Sequence, residues 1–117
     1  MLPNRMQLSR NTEEQLKRLK GYTGLTPNIS ARLAFFRSVE SEFRYSFESD
    51  NKKLDGTLIL DKITWLGETL QTTELVLKML YPNLESKAMI KAWAAHVEDG
   101  IAPLRTYRNL KGLVQAI

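Results

Sequence analysis

The chain has 117 residues, 43% hydrophobic and 26% charged, which suits a single domain (residues 1–117) with a modest core. It contains no cysteine, which excludes disulfides and thiolate metal sites. No run of about 18 apolar residues occurs, so a transmembrane helix is excluded. The opening Met1-Leu2-Pro3-Asn4-Arg5 lacks the apolar stretch of a signal peptide, and a soluble, cytoplasmic protein is expected.

The net charge of +4 is unevenly distributed. Residues 1–37 carry seven Lys/Arg and two acids, a balance of +5; the remainder carries ten basic and eleven acidic residues, a balance of −1. A one-sided basic patch favours a polyanionic partner such as DNA or RNA. The competing explanation is a slightly basic surface that serves only solubility.

In chain order, Met6-Gln7-Leu8-Ser9 alternates apolar and polar residues, as a short strand or extended arm does. Thr12 and Gln15 have the spacing of a capping box, with Glu13 and Glu14 in the favourable first turn. A first helix is expected to run to about Lys20, with Gly21 as its stop. Leu16 and Leu19 share its apolar face. Lys17, Arg18 and Lys20 lie on the remaining surface, near the helix end that favours cations, and Arg5 and Arg10 are close in sequence. The turn Thr23-Gly24-Leu25-Thr26-Pro27-Asn28 follows, with Gly24 free to take positive φ, Thr26 as a cap and Pro27 in a first turn.

A second helix is expected from Pro27 or Asn28 to about Phe47. Ile29, Leu33, Phe36, Val39, Phe43 and Phe47 recur at three- and four-residue steps and form its expected core stripe. Phe35 lies off that stripe, which predicts burial against another helix or subunit. Residues 48–57 read as a loop ending in an Asp-Gly turn, with Lys52 and Lys53 as a basic tip. Thr57–Trp65 is rich in β-branched and apolar residues and reads as extended, broken by Gly67. A third helix should span Glu68 to Leu80 and end at Tyr81-Pro82. Asn83 should cap a fourth, from Leu84 to Glu98, with Gly100 as C-cap or kink. The tail from Ile101 to Ile117 reads as one more helix, with Pro103 in its first turn and Leu104, Leu110, Leu113 and Val114 packing it back. The fold class is therefore mainly α: a compact domain of four to five helices, a short N-terminal arm and a possible short strand near 57–65.

Catalytic constellations are missing from the sequence. The one histidine, His96, sits among Ala92, Trp93 and Ala95 on a helix, the setting of a packed or hydrogen-bonded residue. It has no second histidine or cysteine with which to hold a metal. Gly21-Tyr22-Thr23-Gly24 lacks the length and lysine of a phosphate-binding loop. Asp55 with Asp61, and Glu98 with Asp99, are carboxylate pairs of the kind usually found on solvated surfaces. A binding protein without cofactor or metal is expected, not an enzyme.

The blocks LS…TEEQLKRLKGYTGLTPNISARLAFFRSVE, ITWLGE and AAHVEDGI resemble the DndE family, the small subunit of the bacterial DNA phosphorothioation (DNA sulfur modification) system. The resemblance covers roughly residues 6–104 and is most specific from Leu16 to Asn28. It implies a mostly helical homotetramer. It further implies a protein that binds duplex DNA, nicked duplex preferred, through surface lysines. The sulfur chemistry would belong to partners: a cysteine desulfurase, an iron–sulfur subunit and an ATPase-like subunit. Lys17 and Lys20, with Arg18 as helper, stand in the matching block. The loop after residue 47 and Thr57–Trp65 match least, so Lys52, Lys53 and Lys62 gain no role from the family.

Two other readings stay open. Strand, helix, turn, helix is also the order of a ribbon-helix-helix regulator, with Gln7 and Ser9, or Met6 and Leu8, facing the bases. The long remainder after residue 50 exceeds what that module needs. A third reading is an adaptor whose apolar stripes recruit the other subunits of the modification complex.

Overall fold

The computed structural model describes residues 1–48, 52–104 and 109–116. A two-residue strand, β1 (Arg5–Met6), pairs antiparallel with β2 (Leu60–Asp61), Arg5 opposite Asp61 and Met6 opposite Leu60. Ser9 then caps α1 (Arg10–Thr23): its backbone is extended and its Oγ accepts the Thr12 N–H at 3.2 Å. The helix thus starts earlier than the Thr12–Gln15 spacing predicts. Gly21 does not stop it. A helical glycine merely lowers propensity, and the stop comes at Gly24, whose φ of 79° is the left-handed conformation that closes a helix.

Helix α2 (Pro27–Glu40) opens with Pro27 in its first turn, as predicted, after an extended Thr26. The Thr26 hydroxyl makes no cap; it bonds to the Asn28 side chain. The helix ends at Glu40 instead of Phe47, where the Ser41 N–H and hydroxyl both donate to the Ser38 carbonyl. Its buried face is also not the predicted one. Ser30, Ala31, Ala34, Phe35 and Ser38 face the core, while Ile29, Leu33, Phe36 and Val39 are exposed or half-buried. Backbone approach to α5 (Ser86–Leu104) explains the choice: a Cβ on Gly100 would lie 1.7 Å from the Ala34 carbonyl oxygen. Two helices this close accept only small residues between them.

The expected extended segment Thr57–Trp65 is strand only at β2. Lys62–Leu66 forms a short helix, α3. Its end is held from outside: Arg32 donates to the carbonyls of Trp65 at 2.8 Å and Thr64 at 3.1 Å, and the Asn28 amide donates to Thr64 as well. Gly67, with φ 53°, breaks it as predicted. A 3-10 turn (Gly67–Thr69) leads into α4 (Leu70–Leu80), which stops at Tyr81 before Pro82. Gly100 lies inside α5, not at its end, and Pro103 occupies that helix's last turn. The tail helix is α6 (Leu110–Ala116), and residues 105–108 lie outside the described residues. Leu104 and Leu113 are buried as expected, but Val114 is exposed; the side chain of Leu110 also lies outside the description. At the centre, Trp65 and Trp93 meet edge-on with ring centroids 5.4 Å apart. The Trp65 N–H donates to the Met6 carbonyl at 2.8 Å and ties the N-terminal arm to this core. The chain is thus mostly helical, with one short two-stranded sheet among the described residues, near its N-terminus.

Candidate nucleic-acid interface

Helix α1 buries Thr12, Glu13, Leu16, Leu19 and Thr23 and leaves Arg10, Lys17, Arg18 and Lys20 exposed. At about 100° per residue, Arg10, Lys17 and Lys20 fall within an arc of roughly 80°. Arg10 and Lys17 are two turns apart, about 10 Å along the axis. Arg18 projects from the other flank, beside Asn11 and Tyr22. Four of the five candidate residues therefore share one helix, and three share one flank. Arg5 is apart from them on β1, where it pairs with Asp61 at 3.5 Å.

The flank is anchored by a residue that sequence inspection assigned only to the helix dipole. Glu13 is buried, and its carboxylate accepts the Thr57 N–H at 3.1 Å, the Thr57 hydroxyl at 3.2 Å and the Leu58 N–H. Burial pushes its pKa up, but these backbone donors, with Lys17 nearby, outweigh burial and hold it below the ordinary value. Lys17 Nζ lies 3.8 Å from the same carboxylate. One turn earlier the Arg10 N–H donates to Asp55 at 2.8 Å, and the Gly56 N–H donates to the Leu8 carbonyl at 2.8 Å. The 55–58 segment is thus laid along the start of α1. Its partners are more than 40 residues away, a distance that local sequence patterns do not register.

The other basic candidates are engaged differently. Lys52 pairs with Glu98. Lys62 is largely buried; its Nζ donates to the Leu2 carbonyl at 3.1 Å and lies 3.4 Å from Glu74. Glu74 in turn accepts the Leu2 N–H at 2.9 Å. This half-buried pair holds both backbone groups of Leu2, so Lys62 is a structural residue. Lys53 is exposed and lines a cleft at the start of α1 with Arg10, Glu14 and Asp55.

His96 is packed, as expected. It is fully buried, with Ser38 Oγ 2.9 Å from Nδ1 and Tyr81 Oη 2.6 Å from Nε2. Ser38 donates its one proton to Asp99 at 2.7 Å, so it accepts from Nδ1–H, and Tyr81 donates to the bare Nε2. That chain uses the neutral imidazole. Desolvation first, and Arg44 second, depress the pKa to about 4 against the pull of Asp99. Among the described residues no group of three or more His, Asp or Glu is placed to hold a metal ion. No described helix is long and apolar enough to cross a membrane.

The ribbon-helix-helix geometry fails here. Met6 and Leu8 are buried, and β1 pairs with β2 of the same chain. Gln7 donates to the Gly56 carbonyl, and Ser9 caps α1. The residues that would read bases are committed inside the protomer.

Comparison with curated proteins gave no match. Among solved structures, the chain is 86% identical to DndE from Escherichia coli B7A, described as involved in DNA phosphorothioation modification. The TM-score is 0.87, with 89% of this chain and 100% of that chain covered. It is 82% identical to a DndE mutant with two glycines replaced by lysine, described as involved in DNA phosphorothioation; the TM-score is 0.83 over 88% of this chain and 98% of that chain. Residues 5–112 match the family described as DNA sulphur modification protein DndE, and the chain belongs to that family.

Proposed function

We propose that the protein is a non-catalytic DNA-binding subunit of the DNA phosphorothioation machinery. It binds duplex DNA, nicked duplex preferred, and works as a homotetramer beside the other subunits of the modification complex. The observation that carries this reading is the exposure of Arg10, Lys17 and Lys20 on one flank of a helix whose other face is buried. Lysine and arginine neutralise phosphates and release counterions, which gives affinity with little sequence preference and a steep dependence on salt. A nick makes the duplex easier to kink, and basic flanks from several protomers exploit that deformability. The chain has no cysteine to carry sulfur, in keeping with sulfur chemistry on partner subunits.

The homotetramer draws support from α2. Its unburied stripe of Ile29, Leu33 and Phe36, bordered by Arg32, Arg37 and Glu40, lines an open groove of about 390 Å³. The same groove favours the second reading, an adaptor that recruits the other subunits.

Fluorescence anisotropy on matched nicked and intact duplexes of unrelated sequence, at two salt concentrations, separates the readings. Tighter, salt-sensitive binding to the nicked duplex is expected. Replacing Lys17 and Lys20 together by Glu should weaken it in a protein that still folds, with some lowering of the melt because Glu at 17 faces the Glu13 carboxylate; unchanged affinity would reject the site. Negligible binding to both duplexes at moderate salt, with co-purification of partner subunits, would establish the adaptor instead.

A further inference from the structure

Lys17 differs from the other exposed cations of α1 in one respect: a buried carboxylate lies beneath it. Glu13 is 3.8 Å from Lys17 Nζ, and the Glu13 side chain is 4% exposed against 54% for Lys17. Glu13 is kept ionised by the two backbone N–H groups and the hydroxyl that it accepts from Thr57 and Leu58. It therefore keeps its charge at neutral pH whether or not Lys17 stays. Arg18 and Lys20 make no ion pair with a described residue, and the carboxylate near Arg10, Asp55, is exposed, not buried.

We propose that Glu13 is a positioning residue that restrains Lys17 and attenuates its attraction for DNA phosphate, so that Lys20 contributes more to affinity than Lys17 does. This deepens, and rests on, the reading of α1 as the DNA-contacting helix. Two physical points support it. A phosphate that recruits Lys17 competes with a carboxylate already in place, so the gain from that contact is reduced by the pair it replaces. Releasing Lys17 leaves no unsatisfied acceptor, because three neutral donors still bond to the Glu13 carboxylate. The exchange is thus available to the folded protein at the modest cost of a partly exposed ion pair. Weak individual contacts favour a ligand that engages several at once, which is the condition a deformable duplex meets.

The test is a double-mutant cycle on the full chain with nicked duplex as probe. Glu13→Gln should tighten binding by roughly two- to fivefold, the range of a partly exposed pair. In the Lys17→Gln background the same substitution should change affinity little. A purely structural Glu13 would instead loosen the 57–58 segment and weaken binding. Equal tightening in both backgrounds would mean a general field effect and would overturn the proposal, as would no tightening in a variant that melts like the parent. Should Glu13→Gln fail to fold, Lys17→Gln and Lys20→Gln decide between the outcomes. A larger loss for Lys20→Gln supports the restraint; an equal or larger loss for Lys17→Gln rejects it. If the parent protein binds no duplex at low salt, the DNA-binding reading itself falls, a result distinct from parent binding with no coupling.

Discussion

A missing methyl group at Gly100 sets the distance between α2 and α5. The Cβ that alanine would add meets the carbonyl carbon of Ala34 at 2.5 Å as well as its oxygen, and these are backbone atoms that no rotamer change can move. Gly100→Ala should therefore force the two helices apart, with a cost of about 3 kcal/mol or more and a clear fall in melting temperature. Helix propensity alone predicts the opposite sign, since alanine is the better helix former by about 1 kcal/mol, so a stabilised variant would refute the packing argument. His96, one turn before Gly100 on α5, makes a second prediction. Its folded pKa of about 4 lies below its ordinary 6.5. Between those values the unfolded chain binds the proton and the folded chain does not, so stability is complete above about pH 6.5 and declines as pH falls towards 4. The decline should approach about 1.4 kcal/mol per pH unit from this group. Urea denaturation at pH 7 and pH 5 should show it, and His96→Gln should flatten that interval. Glu13 acts lower: its pKa is depressed, so its contribution holds above the ordinary 4.5 and fades only as pH falls through the lowered value.

The helices themselves follow from signals that are local: Pro27 in a first turn, positive φ at Gly24, the break at Gly67, Pro82 after α4. Those features appear where the sequence places them because each depends on a few neighbouring dihedrals. The α1 boundaries and the Thr26 cap are misread for local reasons, a choice among neighbouring caps and glycines; the larger misreadings share another cause, a partner distant in the chain. The i, i+3, i+4 stripe of α2 is a valid amphipathic pattern. Yet the face that packs is the one carrying Ala31, Ala34 and Ser38, because α5 approaches too closely for Leu33 or Phe36. Residues 41–47 leave the helix, with Phe43 edge-on to His96 at 5.0 Å and the Tyr45 N–H on the Tyr81 hydroxyl at 2.8 Å. The basic flank of α1 was readable because surface charge on an amphipathic helix needs no partner, whereas Glu13's link to Thr57 and Leu58 was not. Lys62 shows the same limit, since only the fold reveals it as a clamp on Leu2. Lys62→Met should strip the Leu2 carbonyl and Glu74 of their shared cation and lower stability by about 1–3 kcal/mol, the range for hydrogen bonds to a charged, half-buried group. Nicked-duplex affinity at a temperature where the variant is folded should stay unchanged. A loss of affinity with an unaltered melt would instead place Lys62 among the DNA contacts.

Within one protomer, the basic flank and the open apolar groove lie on different helices, α1 and α2, and share no residue, so the proposed assembly assigns self-association and DNA contact to separate side chains. On the proposed assembly, several flanks engage one duplex, and each engages few phosphates. Intact DNA is stiff on that length scale: bending a site of 20–30 base pairs by 40–90° costs of order 1–6 kcal/mol, and interrupting one strand removes part of that cost. Nick preference should then require more than one protomer. Phe36→Glu places a charge in the groove at a half-buried position, and it should dissociate the oligomer while leaving the Trp65–Trp93 centre intact. Light scattering would report the change of mass and the thermal melt the retained fold. The dissociated variant should bind both duplexes weakly, with a shallower salt slope of about 0.9 per phosphate still contacted. Its discrimination between nicked and intact DNA should fall towards unity. A monomeric variant that kept full nick preference would show that a single α1 flank recognises the break directly, and the deformability argument would then give way to a local contact at the strand end.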